Sequence, residues 1–185
     1  PGKHQTLLFS ATFPDQIESM IHRVMNTPAL VKIDEVHDDT SIEQHFYQVP
    51  DNQYRFTALR LLLLHYSPGS TVIFCNTKKE TQDVADRLNE YGFSALALRG
   101  DLEQRDRDIT LVRFSNKSIS ILVATDVAAR GLDIEELDAV INYHIAHDAE
   151  IHTHRIGRTG RAGCRGIACS LYTENEGHKV AMLET

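Results

Sequence analysis

Apolar runs of strand length recur along this 185-residue chain with amphipathic stretches between them, and that alternation narrows its fold more than any other feature. Strands are expected over 6–11, 30–33, 43–49, 71–75, 94–98, 119–124, 139–142 and 166–171. Several of these runs are continuously apolar, as strands covered on both faces are. Helices are expected over 14–25, 53–66, 78–91, 104–114, 149–156 and 174–183. Thr77 followed by Glu80 forms a capping box, and Gly92 ends that helix. Strand and helix taking turns in this way predict an α/β fold, a parallel sheet with helices on both faces.

The segment 34–41 is acidic, polar and aperiodic, and reads as a linker. What precedes it, 1–33, is too little to fold alone, whereas 42–185 holds a complete α/β domain. The chain lacks an initiator Met and ends on Glu184-Thr185 inside a helical pattern, so it reads as a fragment of a longer protein. A net charge of -7 is an awkward sign for a nucleic-acid binder, but the charge is uneven. Residues 1–45 carry three basic side chains against seven acidic ones, while arginines concentrate around 99–113 and 155–165. Local potential matters more than the total. Cys75, Cys164 and Cys169 form no CxxC pair, so a reducing, cytoplasmic setting is expected. The longest leucine run, 61–64, is far too short to cross a membrane.

Four arginines fall within eleven residues: Arg155, Arg158, Arg161 and Arg165. Three are spaced by three, which would place them on one face of a helix or tight turn. Like charges packed this way call for an anion opposite, and guanidinium forks suit phosphate oxygens. The interleaved glycines and the flanking His154 favour a polyphosphate site over a merely solvated basic face.

Four loops after expected strands are also chemically unusual, and ligands of parallel sheets sit at such strand ends. Ser10-Ala11-Thr12 offers two hydroxyls, although alone it reads as an ordinary turn before Pro14. In the stretch 125–133, Thr125 or Asp126 caps a short helix, Arg130 and Gly131 bring charge and a permissive backbone, and Asp133 suits ribose hydroxyls. Its plain alternative is a cap and a charged turn. Around 99–107, Gly100 precedes a helix that sets Gln104 and Arg107 on one face, suited to a nucleic-acid phosphate. A salt-bridged first turn explains the same residues. Asn76, beside another helix start, suits a sugar-phosphate backbone or simply a capped helix.

In order and spacing these pieces resemble the DEAD-box RNA helicases, a branch of helicase superfamily 2. Ser10-Ala11-Thr12 resembles that family's motif III, 72–77 motif IV, Gln104 with Arg107 motif IVa, 125–133 motif V, and 154–161 motif VI. The strings 74–79 and 100–108 further resemble the bacterial DbpA subgroup. The resemblance implies a RecA-like three-layer domain over 42–185, preceded over 1–33 by the end of a first, ATP-binding RecA-like domain. It implies ATP as ligand, with magnesium bound mainly by that first domain. Arg158 and Arg161 would reach the γ-phosphate as arginine fingers, with Gly131 and Asp133 on the nucleotide side. Asn76, Gly100, Gln104, Arg107 and Thr125 would hold the RNA backbone. Ser10, Thr12, Arg130, His154 and Arg155 would couple the two sites. The expected activity is ATP-driven unwinding or remodelling of short RNA duplexes, ribosomal RNA being the expected target and ribosome biogenesis the expected role. A non-catalytic RNA-binding or assembly module of the same fold is the competing reading, and a DNA-unwinding relative a third.

Two positions depart from the family pattern: Arg99 stands where a histidine is usual, and His144 where an acidic residue is common. His144, His147, His152 and His154 crowd together at spacings that can chelate zinc. No cysteine lies nearby with ligand spacing and His154 falls in motif VI, so no metal site is expected.

Overall fold

The computed structural model describes residues 42–130, 134, 137–160 and 165–183, with seven single positions between Leu8 and Val31. The chain divides into two compact units, Pro1–His37 and Asp38–Thr185. The strands expected over 6–11 and 30–33 lie outside the described residues. Of the helix expected over 14–25, Ile21, Arg23 and Met25 are described; the first two are helical, and the Met25 N–H bonds Ile21 O (2.9 Å).

The second unit is built on six parallel strands: β1 (Ile42–Val49), β2 (Thr71–Phe74), β3 (Ala95–Leu98), β4 (Ile121–Ala124), β5 (Ala139–Asn142) and β6 (Gly166–Thr173). Their order across the sheet is β1-β6-β5-β2-β4-β3. The helices are α1 (Arg55–Tyr66), α2 (Lys78–Glu90), α3 (Gln104–Ser115), α4 (Asp126–Ala129), α5 (Ala149–Ile156) and α6 (Gly177–Leu183). Alternating side chains of the inner strands feed two cores. Ile73, Val123, Ile141 and Leu171 pack with Phe56, Leu59 and Leu63 of α1 and Val84 and Leu88 of α2. Val72, Phe74, Leu122 and Val140 pack on the other face with Phe114 of α3 and Ala128 of α4. The three central strands β2, β4 and β5, sandwiched in this way, bury every residue, which explains their nearly unbroken apolar character. The expected parallel sheet with helices on both faces is therefore what the chain forms.

Local chemistry sets the helix boundaries. Thr77 Oγ1 accepts from the Glu80 N–H (3.2 Å) at the start of α2, and Gly92, at φ +83°, takes the left-handed turn just beyond its end. Asp148 accepts from the Ile151 N–H (2.8 Å) to start α5. Several strands differ from expectation by a residue or two. The apolar runs at 94 and 119 start before their ladders do, and β6 runs on to Thr173 because Tyr172 and Thr173 pair with Gln48 and Val49.

Register sets the functional edge. Phe74 lies opposite both Ala124 and Asn142, Ala124 opposite Leu98, and Asn142 opposite Ser170. The strands thus end in one row, and the loops after β2, β3, β4 and β5 leave the sheet side by side.

Candidate nucleotide and RNA interface

Asn76, Gly100 and Thr125 follow that row by one or two residues, so the sheet itself gathers three of the expected RNA contacts on one edge. Asn76 and Gly100 are exposed, and a side-chain carbon added at Gly100 would meet no atom within 4 Å. Thr125 is buried: its Oγ1 accepts from the Ala128 N–H (3.3 Å) and caps α4. Gln104, exposed in the first turn of α3, donates to Asp108 Oδ1 (2.7 Å). Arg107, half-buried one turn later, donates from Nη2 to Ala128 O (2.8 Å) and ties α3 to α4. Arg130 is exposed just after α4, its N–H bonded to Asp126 O (3.0 Å).

Of the arginines expected to share one face, the described Arg155 and Arg158 differ: one is buried inside a helix and the other lies beyond its end. Arg155 is 2% exposed within α5. Its Nε and Nη2 donate to the two carboxylate oxygens of Asp126 (2.6 and 2.7 Å), and its Nη1 to Asn142 Oδ1 (3.1 Å) and His144 O (2.8 Å). Gly157 ends the helix, so Arg158, half-buried, rides on the turn that follows. A helix-face argument fails wherever the helix stops between the residues compared. His154 is exposed in the last turn of α5.

The Arg158 turn lies at the opposite end of the sheet from the loops that follow β2, β3 and β4. The Leu137 N–H, just before β5, donates to Arg158 O (3.1 Å), and Leu137 forms a bridge with Thr159. Gly166, the first residue of β6, is pressed against the same turn: an added Cβ would lie 2.2 Å from Thr159 Oγ1 and 2.3 Å from Gly160 N. Helix α5, about 12 Å long at 1.5 Å per residue, runs between the two ends. Its buried Arg155 holds the base of α4, the helix capped by Thr125.

Ser10, Thr12, Gly131, Asp133 and Arg161 lie outside the described residues.

A second buried arginine escaped the sequence reading. Arg55, at the start of α1, donates to Tyr143 O (2.7 Å), Leu171 O (2.8 Å) and Asn52 Oδ1 (2.8 Å), and pairs with Glu176. Burial pulls the Glu176 carboxyl up, but the backbone hydrogen bond from Thr173 and the Arg55 charge outweigh it and hold the carboxyl below its ordinary range. No local signal marked it: the same helix carries a second arginine, Arg60, and only the partners of Arg55 set the two apart.

His144 and His152 are both held near 4. Burial is the main cause, aided for His144 by the Arg55 and Arg155 charges and for His152 by Arg155. The Glu176 charge pulls the His144 ring the other way without offsetting burial, and Glu80 Oε1 lies 3.1 Å from His144 Nε2 on a carboxylate more than a third exposed. His152 Nε2 bonds Gln44 Oε1 (3.0 Å) and its ring stacks on Phe46. Among the described residues, no group of three or more His, Cys, Asp or Glu gathers as a metal cage, and no helix is long and apolar enough to cross a membrane.

A parallel sheet in this strand order, with polar loops along its exit edge and a buried arginine–carboxylate clasp behind them, defines a RecA-like α/β domain. The model of the helicase conserved C-terminal domain matches residues 54–163, more than half of the chain. The chain belongs to that family, on its DEAD-box branch. It is 52% identical over 183 residues to the ATP-dependent RNA helicase DbpA of Escherichia coli, a match covering 99% of this chain and 40% of that protein. Among solved structures it is similar to the Escherichia coli DEAD-box protein SrmB bound to regulator of ribonuclease activity A (31% identity, TM-score 0.73, 77% of this chain and 84% of that one). It is also similar to Saccharomyces cerevisiae Dbp5 bound to RNA and ADP BeF3 (30% identity, TM-score 0.85, 100% of this chain and 49% of that one). The chain spans about two fifths of the length of the curated relatives it matches.

Proposed function

We propose that this chain is the C-terminal half of an ATP-dependent RNA helicase that remodels short RNA duplexes. In this reading Asn76, Gly100, Gln104, Arg107 and Thr125 hold the RNA backbone. Such contacts carry no base information, so the grip is tolerant of sequence. Arg158 and Arg161 stabilise the terminal phosphoryl during hydrolysis, a contribution of about 10³–10⁵ in rate for such arginines. Gly131 and Asp133 meet the nucleotide, and Ser10, Thr12, Arg130, His154 and Arg155 couple it to RNA. ATP and magnesium are held mainly by a preceding RecA-like domain, the partner against which this one closes. Ribosomal RNA is the proposed target, by likeness to DbpA.

The observation that carries the reading is the joining of the two ends of the sheet by one helix. The RNA-side loops leave at the strand exits, the Arg158 turn sits at the strand starts, and α5 with its buried Arg155 spans them. The test is Arg158→Ala in the full-length protein. RNA-stimulated ATP hydrolysis should fall by about a thousandfold or more, while affinity for single-stranded RNA stays within about threefold. Near-normal turnover would remove the finger assignment, and RNA binding with no ATP hydrolysis in the parent protein would favour a non-catalytic module.

A further inference from the structure

Strands β2 and β5 are neighbours, and Phe74 and Asn142 face each other at their ends. Beyond that row, Phe74 O accepts from both Tyr143 N–H (3.0 Å) and His144 N–H (3.3 Å). The next outward amide of the β2 loop, Asn76 N–H, is met by a side chain: it donates to His144 Nδ1 at 3.4 Å. Nδ1 accepts only when it carries no proton, so the ring proton is on Nε2, 3.1 Å from Glu80 Oε1 in the first turn of α2. The His144 carbonyl accepts from Arg155, which grips Asp126. This residue thus touches the Asn76 loop, the start of α2 and the clasp beneath α4.

We propose that His144 is a positioning residue for the RNA grip: its neutral imidazole fixes the Asn76–Thr77 loop by accepting from the Asn76 amide and donating to Glu80. The inference rests on the reading of Asn76 as an RNA-backbone contact. The side chain is mostly buried, 12% exposed, which favours the neutral ring that can accept and donate at once. A carboxylate at this position would accept from Asn76 but repel Glu80. An imidazole satisfies both neighbours, which gives a physical reason for histidine here.

The test separates the two ring nitrogens in the full-length protein. His144→Asn keeps an acceptor near Nδ1. His144→Gln places its amide near Nε2 and loses the Nδ1 acceptor. With poly(U) as the RNA, His144→Gln should raise the concentration for half-maximal ATPase stimulation about five- to tenfold, the worth of roughly one hydrogen bond. Its kcat and its KM for ATP should stay within about twofold. His144→Asn should recover the parental RNA value to within about twofold. Hydrogen exchange at the Asn76 amide should quicken in His144→Gln and not in His144→Asn. Equal behaviour of the two variants, or a loss confined to kcat or to ATP, overturns the proposal. Asn76→Ala distinguishes the levels. If it raises the RNA requirement while His144→Gln does not, positioning alone fails. If it changes nothing, the RNA-grip reading fails and takes this inference with it.

Discussion

Arg155 and Asp126 meet side-on, fork to carboxylate, at 2.6 and 2.7 Å across 29 residues of sequence. Asp126 opens α4, and Arg155 lies near the end of α5. The pair therefore joins the helix behind the β4 exit to the helix that carries the Arg158 turn. A guanidinium this deeply buried is tolerable only because its other donors go to Asn142 and His144. Asp126→Ala leaves that charge uncompensated, and urea unfolding should show a loss of about 3–5 kcal/mol. Arg155→Lys, which cannot reproduce the fork, should recover little of the stability that Arg155→Ala loses. If Asp126→Ala costs under about 1 kcal/mol, the clasp does not hold the two helices together.

Gly166 is fixed by the space around it rather than by its backbone angles. Thr159 and Gly160 press on the Cα of the first β6 residue, and Thr159 Oγ1 donates to Leu137 O beside it. Gly166→Ala must displace the turn that bears Arg158, with an overpacking cost of about 1–3 kcal/mol. Gly166→Ala should lower both the melting temperature and the RNA-stimulated ATPase, whereas Gly100→Ala should leave the melting temperature nearly unchanged, since Gly100 stands in open space. A fully active, fully stable Gly166→Ala would show that the turn is placed by something else.

Stability should fall on mild acidification. His144 and His152 titrate near 4 in the folded protein against about 6.5 when unfolded, burial being the main cause. Between those values the unfolded chain takes up protons that the folded one does not, so stability is full above about 6.5 and declines toward 4. Each histidine contributes a slope of up to about 1.4 kcal/mol per pH unit. The environment of His144 includes Glu80, Glu176, Arg55, Arg155 and His147; that of His152 includes Arg155 and Gln44. Glu176, whose carboxyl is held low, adds its own loss only at more acid pH. Urea denaturation from pH 7.5 to 5 checks the slope, and His152→Gln should flatten it by up to about half. Stability that is level or rising toward pH 5 contradicts the assignment of both rings as neutral.

The central strands were legible because burial on both faces makes them apolar, and Val72, Ile73, Leu122 and Val123 illustrate it. Helix starts were legible where a single side chain decides them, as at Thr77 and Thr125. The strand order was not, because register between distant segments leaves no local trace. The same limit hid the role of Arg155: its spacing from Arg158 looks like a shared face, and only Asp126, Asn142 and the end of α5 at Gly157 turn it inward. Arg55 was missed for the same reason, since its partners Tyr143, Leu171 and Glu176 are brought to it by the β5 and β6 exits.

Arg107 separates two ways of serving an RNA site. Its Nη2 braces Ala128 O at 2.8 Å, and the guanidinium has further donors that a phosphate can use. As a charge alone, it would be replaceable by lysine, and its removal would weaken binding equally for all sequences. As a brace, it needs the fork, because the bond to Ala128 and a phosphate contact must be made at once from one rigid plane. Arg107→Ala should therefore lower affinity for single-stranded RNA about tenfold and reduce the salt slope by about 0.7, the value of one phosphate contact on a single strand. Arg107→Lys should keep the slope but remain about three- to tenfold weaker than the parent, with about 1 kcal/mol of stability lost in both variants. Binding measured by fluorescence anisotropy across a potassium chloride series decides between the two. Full recovery of affinity by lysine would reduce Arg107 to a charge and leave the α3–α4 tie without a part in RNA binding.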